Sequence, residues 1–229
     1  MRLFGSRTAA CAGALCTIAV GCARGRDSNG AVEDSGSIGE VLVEVHLLDL
    51  DGAPVEGAQV GTEAGATVST DAVGEGVVAV DSHSEVLLSV VQRDGPALVT
   101  TLAAEDADLE VEIPVPSEAE SRMLTALVGV QWDEDKGLVL FNVGGVEGVV
   151  VSGPGTGPFY IDEGGLPVTG ATSTSEMGTG FFVNAPVGTQ ELTFSEACMT
   201  TALSWSPDAD GAFPVPSMAA AVSFISVGC

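Results

Sequence analysis

The sequence predicts an all-β protein: two small β-sandwiches in tandem, placed after a signal peptide and a flexible tether. Three observations predict it. Val, Ala, Gly, Ser and Thr are abundant, Lys, Arg and aromatic residues are scarce, and no long stretch of Leu, Glu, Lys and Ala has helical spacing. Short apolar runs alternate with polar residues at period two and are punctuated by Gly, Asp and Pro. One series of these runs is echoed by a second series further along the chain. A length of 229 residues allows one large domain or two small ones, each with a core of its own. The repetition favours two.

At the amino terminus, Arg2 and Arg7 precede a mildly apolar run of 13 residues, Thr8 to Val20. A membrane-spanning helix needs about 20 residues, so this run suits the apolar region of a signal peptide. Of the cysteines here, Cys11 has almost no apolar run before it and Cys16 follows bulky Leu15, whereas Cys22 follows Ala19, Val20 and Gly21. This end resembles the bacterial lipoprotein signal, in which the cysteine just after the cut is acylated and becomes the new amino terminus. The resemblance implies removal of residues 1–21, lipid attachment at Cys22, and anchorage to a lipid bilayer in the cell envelope. Ala23 after the cysteine favours the outer membrane. Ala19 stands where that family usually has Leu, and Ala19 with Gly21 also suits a small-x-small cut, so a secreted or periplasmic protein is the alternative. With the signal removed and Cys22 assigned to lipid, Cys198 and Cys229 are left as an even pair in a compartment that tolerates disulfides. They are expected to bond to each other; two separate thiols are the other reading. Residues 22–39 form the lipid-anchored tether, whose Gly- and Ser-containing run would hold the body about 20 to 25 Å r.m.s. from the lipid.

The first sandwich is expected over residues 40–115. "EVLVEVHLLDL" sets Val41, Val43, Val45 and Leu47 on one face and Glu44 and His46 on the other, as a half-buried strand requires. "DLEVEIPV" opposes Leu109, Val111 and Ile113 to Asp108, Glu110 and Glu112 in the same way. Between them "AQVGT", "ATVST", "GVVAV", "EVLLSVVQ" and "ALVTTL" complete about seven short strands, the number of a small sandwich. "PVPSEAESRM" reads as a hinge, with residues 116–123 as the linker. A second sandwich over 124–229 follows, with strands expected at "LTALVGV", "GLVLFNV", "EGVVV", "PFYID", "GFFVN", "TQELTF" and "AAVSFISV".

The echo between halves is specific. Val55-Glu56-Gly57-Ala58-Gln59-Val60 is matched by Val146-Glu147-Gly148-Val149-Val150-Val151, and Thr70, Gly74 and Gly76 by Thr174, Gly178 and Gly180. The second copy carries extra residues around "SGPGTGPFYIDEGGLPVTG". With Asp49, Gly52, Pro54, Val55, Gly57, Ala58 and Val60 followed by Thr70, Asp71 and Gly74, the first copy resembles the transthyretin-like module known as the carboxypeptidase regulatory-like domain. Gly76 and Val77 replace the aromatic that usually ends its motif. The second copy lacks the proline but keeps the threonine, the glycines, the aromatics and a closing "PVGTQEL". The resemblance implies an Ig-like β-sandwich that serves as an appendage, an adhesion or assembly unit, or a carbohydrate-binding-like domain.

Charge narrows the function further. The formal net charge is −25, and all 32 acidic residues follow Arg26. Such a body repels nucleic-acid phosphates, so no nucleic-acid partner is expected. His46 and His83 have no H-E-x-x-H companion, and Asp81, Ser82 and His83 are too close in sequence to converge as a triad. "GPGTGPF" lacks the Lys of a phosphate loop and reads as a hairpin. Asp49 with Asp51, Asp133 with Glu134 and Asp135, and Asp208 with Asp210 read as turns rather than calcium ligands. No catalytic residue, metal ligand or cofactor is therefore assigned. Among Trp132, Phe159, Tyr160 and Trp205, the residues singled out for ligand contact are Trp132 and Tyr160, because aromatic platforms suit a sugar's apolar face; core packing is the competing use. The expected function is a non-enzymatic envelope lipoprotein with a structural or protein-binding role, and the alternative is a module that binds envelope polysaccharide.

Overall fold

The computed structural model describes residues 39–229; the expected signal peptide, Cys22 and the expected tether up to residue 38 lie outside the described residues. In the first half the strands are β1 (Glu40–Leu48), β2 (Gln59–Thr62), β3 (Thr67–Ser69), β4 (Glu75–Asp81), β5 (Glu85–Val91), β6 (Ala97–Ala103) and β7 (Leu109–Pro114). A helix, α1 (Glu118–Leu127), separates them from β8 (Gly137–Asn142), β9 (Val151–Ser152), β10 (Thr156–Ile161), β11 (Pro167–Val168) and β12 (Thr179–Ala185). The chain closes with β13 (Gly188–Phe194), β14 (Met199–Thr200), β15 (Phe213–Ser217) and β16 (Ala221–Gly228). The all-β sandwich class is as the sequence predicts.

These strands form three layers. The central one is a ten-stranded sheet in the order β11-β10-β12-β8-β16-β6-β5-β2-β3, with β14 added against β16. Both halves supply it, and the junction is β16, which pairs in parallel with β6 on one side and with β8 on the other. A three-stranded sheet, β4-β1-β7, packs on one face; another, β15-β13-β9, packs on the opposite face.

Burial explains the two kinds of strand seen in the sequence. In β8, Leu138 and Leu140 enter one core while Val139 and Phe141 enter the other; Val222 and Phe224 are divided from Ile225 and Val227 in β16 in the same way. A strand covered on both faces has no polar side, so it reads as a continuous apolar run. β1 and β7 lie in an outer layer and keep strict alternation.

Besides the two-residue strands β11 and β14, which the sequence expectation lacks, two longer elements differ from it. The segment expected to hold the linker, and the strand expected at "LTALVGV", form α1 instead. Ser117 caps it: its hydroxyl accepts from the Glu120 N–H at 3.2 Å, and the Glu120 carboxylate accepts from the Ser117 N–H at 2.7 Å. Glu118 and Arg122 pair one turn apart, and Ser121, Leu124 and Thr125 turn inward, with Leu124 joining the core that holds Leu140 and Phe224. The second difference is β15, whose Pro214 and Pro216 conceal a strand. It lies at a sheet edge beside β13, where the missing N–H groups cost no ladder bond.

The sequence repeat is also a repeat of hydrogen bonds. The Thr70 hydroxyl donates to Val55 O at 2.7 Å and accepts from the Ala58 N–H at 3.1 Å. In the second half the Thr174 hydroxyl donates to Val146 O at 2.6 Å and accepts from the Val149 N–H at 3.0 Å. Both threonines are buried. The Leu47 N–H donates to Gly74 O, and its counterpart from Val143 donates to Gly178 O.

Turns are built on a second recurring device. Asp49, Asp71, Asp162 and Asp208 each use Oδ1 to accept two backbone N–H groups, from the residues two and four positions on. The glycine three positions on, Gly52, Gly74, Gly165 or Gly211, has a φ between 77° and 83°. This is the left-handed conformation that closes such a turn and that glycine adopts without a Cβ penalty. Cys198 and Cys229 form the expected disulfide, with Cα atoms 4.1 Å apart, next to the Met199–Gly228 pair of β14 and β16.

Candidate functional site

A surface concavity lies where α1 meets the loop leading into β8. Arg122, on the exposed side of the helix, directs Nε to Glu118 at 2.8 Å and Nη2 to Glu134 at 3.2 Å. The guanidinium is thereby fixed between the helix and the loop, and Glu118 first, then Glu134, hold its pKa above the ordinary arginine value. Trp132 is half-buried: part of the indole packs on the core, and its N–H donates to Lys136 O at 3.1 Å.

Asn184 fixes the loop from below. It is the extra residue of a bulge in β12, between the Val183–Leu138 and Ala185–Gly137 pairs, and it adopts φ 61°. That geometry turns its amide towards the loop, where Nδ2 donates to Gln131 O at 3.0 Å and Oδ1 accepts from the Asp133 N–H at 2.8 Å. Arg122, Gln131, Trp132, Asp133, Glu134 and Asn184 line a depression of about 560 Å³. A smaller one of about 190 Å³ continues on the other side of Arg122 and Trp132 towards Pro96 and Ala220. An indole with polar groups around it can stack on an apolar face and hydrogen-bond a rim of hydroxyls. It offers binding chemistry; arginine, always charged, does not exchange protons near neutral pH.

The residues selected from sequence fare differently. Trp132 sits in this groove. Tyr160 does not: it is only 2 % exposed, packs edge-on against Phe141, and its hydroxyl oxygen accepts the Val151 N–H at 2.9 Å. Its assignment as a ligand contact is corrected to a core role. The physical reason is that β10, paired with β12, places the ring in the core cluster that holds Phe141 and Phe182. Cys22 lies outside the described residues. Trp205 and Phe159 are half-buried, Trp205 donating to Val86 O at 3.3 Å and Phe159 stacking near Phe181. Asp49 and Asp208 spend an oxygen on their own turns, as the turn reading requires. Sequence reasoning missed Arg122, Gln131 and Asn184, which come together only through tertiary structure.

Burial pushes the Tyr160 hydroxyl above its usual pKa, while the Val151 N–H works in the opposite direction. An acid whose pKa is raised by folding keeps its proton longer in the native state. Its contribution to stability is present below the unfolded value of about 10 and is lost as pH rises beyond it. Because Tyr160 is the single tyrosine, its phenolate absorbance reports on this one site. Ionisation is expected above about pH 10 and in step with loss of the β-sheet circular dichroism. Phenolate formation below that pH in a folded protein would contradict the burial.

The fold and groove define an all-β sandwich protein with a half-open indole platform. No family model matches the chain, and no curated protein matches it. Solved structures similar to it include the Bacillus anthracis TIE protein, at 12 % identity over 82 % of this chain and 34 % of that one, with a TM-score of 0.30. A streptococcal ancillary pilin gives 14 % identity over 85 % and 63 %, TM-score 0.29. The shaft pilin SpaA of Lactobacillus rhamnosus GG gives 10 % over 83 % and 98 %, TM-score 0.28. The chain thus spans about a third of the Bacillus protein and less than two thirds of the streptococcal one. Likenesses this distant bear on neither ligand nor role.

Proposed function

We propose that this chain is a non-enzymatic cell-envelope lipoprotein that presents two carboxypeptidase regulatory-like repeats as a platform for a protein partner. The observation that carries the reading is the central sheet, to which both halves contribute. Repeats joined through β6, β16 and β8 offer their outer surfaces in fixed relation, as a scaffold requires. Anchorage through an acylated Cys22 would leave residues 23–39 as a spacer between bilayer and body. Among the described residues no helix is long and apolar enough to cross a membrane, and the reading does not call for one. Labelling cells with radioactive palmitate tests the anchor. The protein should take up label and its precursor should accumulate with globomycin; a Cys22→Ala form that is still processed and membrane-bound would refute the lipid assignment.

A second reading, polysaccharide binding, is favoured by the groove at Trp132. A glycan array of envelope polysaccharides should then give signals that Trp132→Ala abolishes while its circular dichroism shows the variant still folded. Equal signals from the two proteins would remove this reading.

A further inference from the structure

The outer face of the β4-β1-β7 sheet carries a cluster separate from the groove. His46 lies near its middle, with Glu44 two residues back on β1, Glu75 paired opposite on β4, and Glu110 and Glu112 on β7. His46 Nε2 is 3.5 Å from Glu110 Oε1 and 3.8 Å from Glu44 Oε1, while Nδ1 is 3.6 Å from Glu75 Oε1. The His46 side chain is 26 % exposed, so it is open to an ion yet held by its neighbours. Ligating atoms of Glu44, His46 and Glu75 all lie within 4.8 Å of one another.

We propose that His46 Nδ1, Glu75 and Glu44 bind one divalent transition-metal ion of the zinc class, with Glu110 orienting the imidazole through Nε2. The separations carry the proposal. Charge-assisted N–H···O bonds run at about 2.7 to 2.9 Å, and these nitrogen–oxygen distances are too long to be such bonds. Two ligands bound tetrahedrally at about 2.0 to 2.1 Å from zinc stand about 3.4 Å apart, close to the 3.6 Å that the pairing of β1 with β4 sets between Nδ1 and Glu75 Oε1. A carboxylate facing the other ring nitrogen is the usual partner of a metal-bound histidine, because it fixes the tautomer and ring orientation. The imidazole also selects the class of ion, since calcium and magnesium take oxygen ligands. The turn aspartates differ in kind: each of those four already accepts two backbone N–H groups through one oxygen.

Zinc chloride titrated into the protein, with salt at about 0.15 M to screen the acidic surface, tests this by calorimetry and by NMR of the imidazole C–H signals. One equivalent is expected to bind, moving the His46 signals and leaving those of His83, whose Nε2 pairs with Asp106 at 2.7 Å, in place. His46→Gln and Glu75→Gln should each weaken binding by about tenfold or more. Both side chains face solvent, so the metal-free melting temperature should change little. A large excess of calcium should not displace the ion. Unmoved His46 signals, undiminished affinity in His46→Gln, or displacement by calcium would each overturn the proposal.

Discussion

Replacing Thr174 by valine is expected to lower stability by about 3 kcal/mol, because each buried backbone group left without a partner costs about 1 to 3 kcal/mol and this hydroxyl serves two. Valine keeps the shape of the side chain and removes only the link between Val146 O and the Val149 N–H. Thr70→Val should lose a similar amount, since Val55 O and the Ala58 N–H depend on Thr70 in the same way. For a chain of this size the loss corresponds to a fall in Tm of roughly 6 to 12 °C. Thr174→Ser, which retains the hydroxyl, separates the polar contribution from packing. If serine and valine proved equally damaging, the hydroxyl could not be the source of the effect.

Loss of the disulfide should be comparably large. Cys198 and Cys229 enclose 31 positions of chain, and closing a loop of that size in the unfolded state is worth roughly 3 to 4 kcal/mol in the chain-entropy description. The double variant Cys198→Ser/Cys229→Ser and the reduced wild type should melt at the same lowered temperature. The damage should be concentrated in β14 and the end of β16, which hydrogen exchange can locate residue by residue. An unchanged Tm after thiol titration has confirmed full reduction would show that the bridge contributes nothing to stability.

Legibility in the sequence followed the way each strand is buried. β1 and β7 face water on one side, so alternation revealed both their existence and their inward residues. β6, β8, β12 and β16 are covered on both sides, and their apolar runs marked strands without indicating which neighbours they would join. The parallel pairs of β16 therefore had no local signal. Prolines hid β15 because edge position, which makes them tolerable, is a property of the sheet and not of the segment. For α1 the signal was present: Ser117 and Glu120 have capping-box spacing, but the surrounding Pro, Ser and Glu composition resembled a hinge. The paired threonines were visible as a repeat, while their role as hydrogen-bond bridges required coordinates.

Site residues were less legible than strands. Trp132 could be selected by type, but Arg122 and Asn184 reach its loop from a helix and from a bulge on a different strand. Tyr160 was misplaced because it was chosen by type, and only the coordinates show its ring against Phe141 and its hydroxyl accepting the Val151 N–H. His46 was correctly set on the polar face of β1, yet its carboxylate neighbours come from β4 and β7, and strand pairing alone brings them together.

The position of β16 also governs the order in which this molecule can be completed. Until residues 221–228 have been made, the slot between β6 and β8 stands empty and two strand edges with largely apolar faces remain unpaired, the condition in which chains join one another. Closing that slot depends on contacts between residues far apart in the chain, which form slowly. A chaperone that shields those edges during the interval should therefore raise the yield of native protein more than it raises the stability of the finished fold.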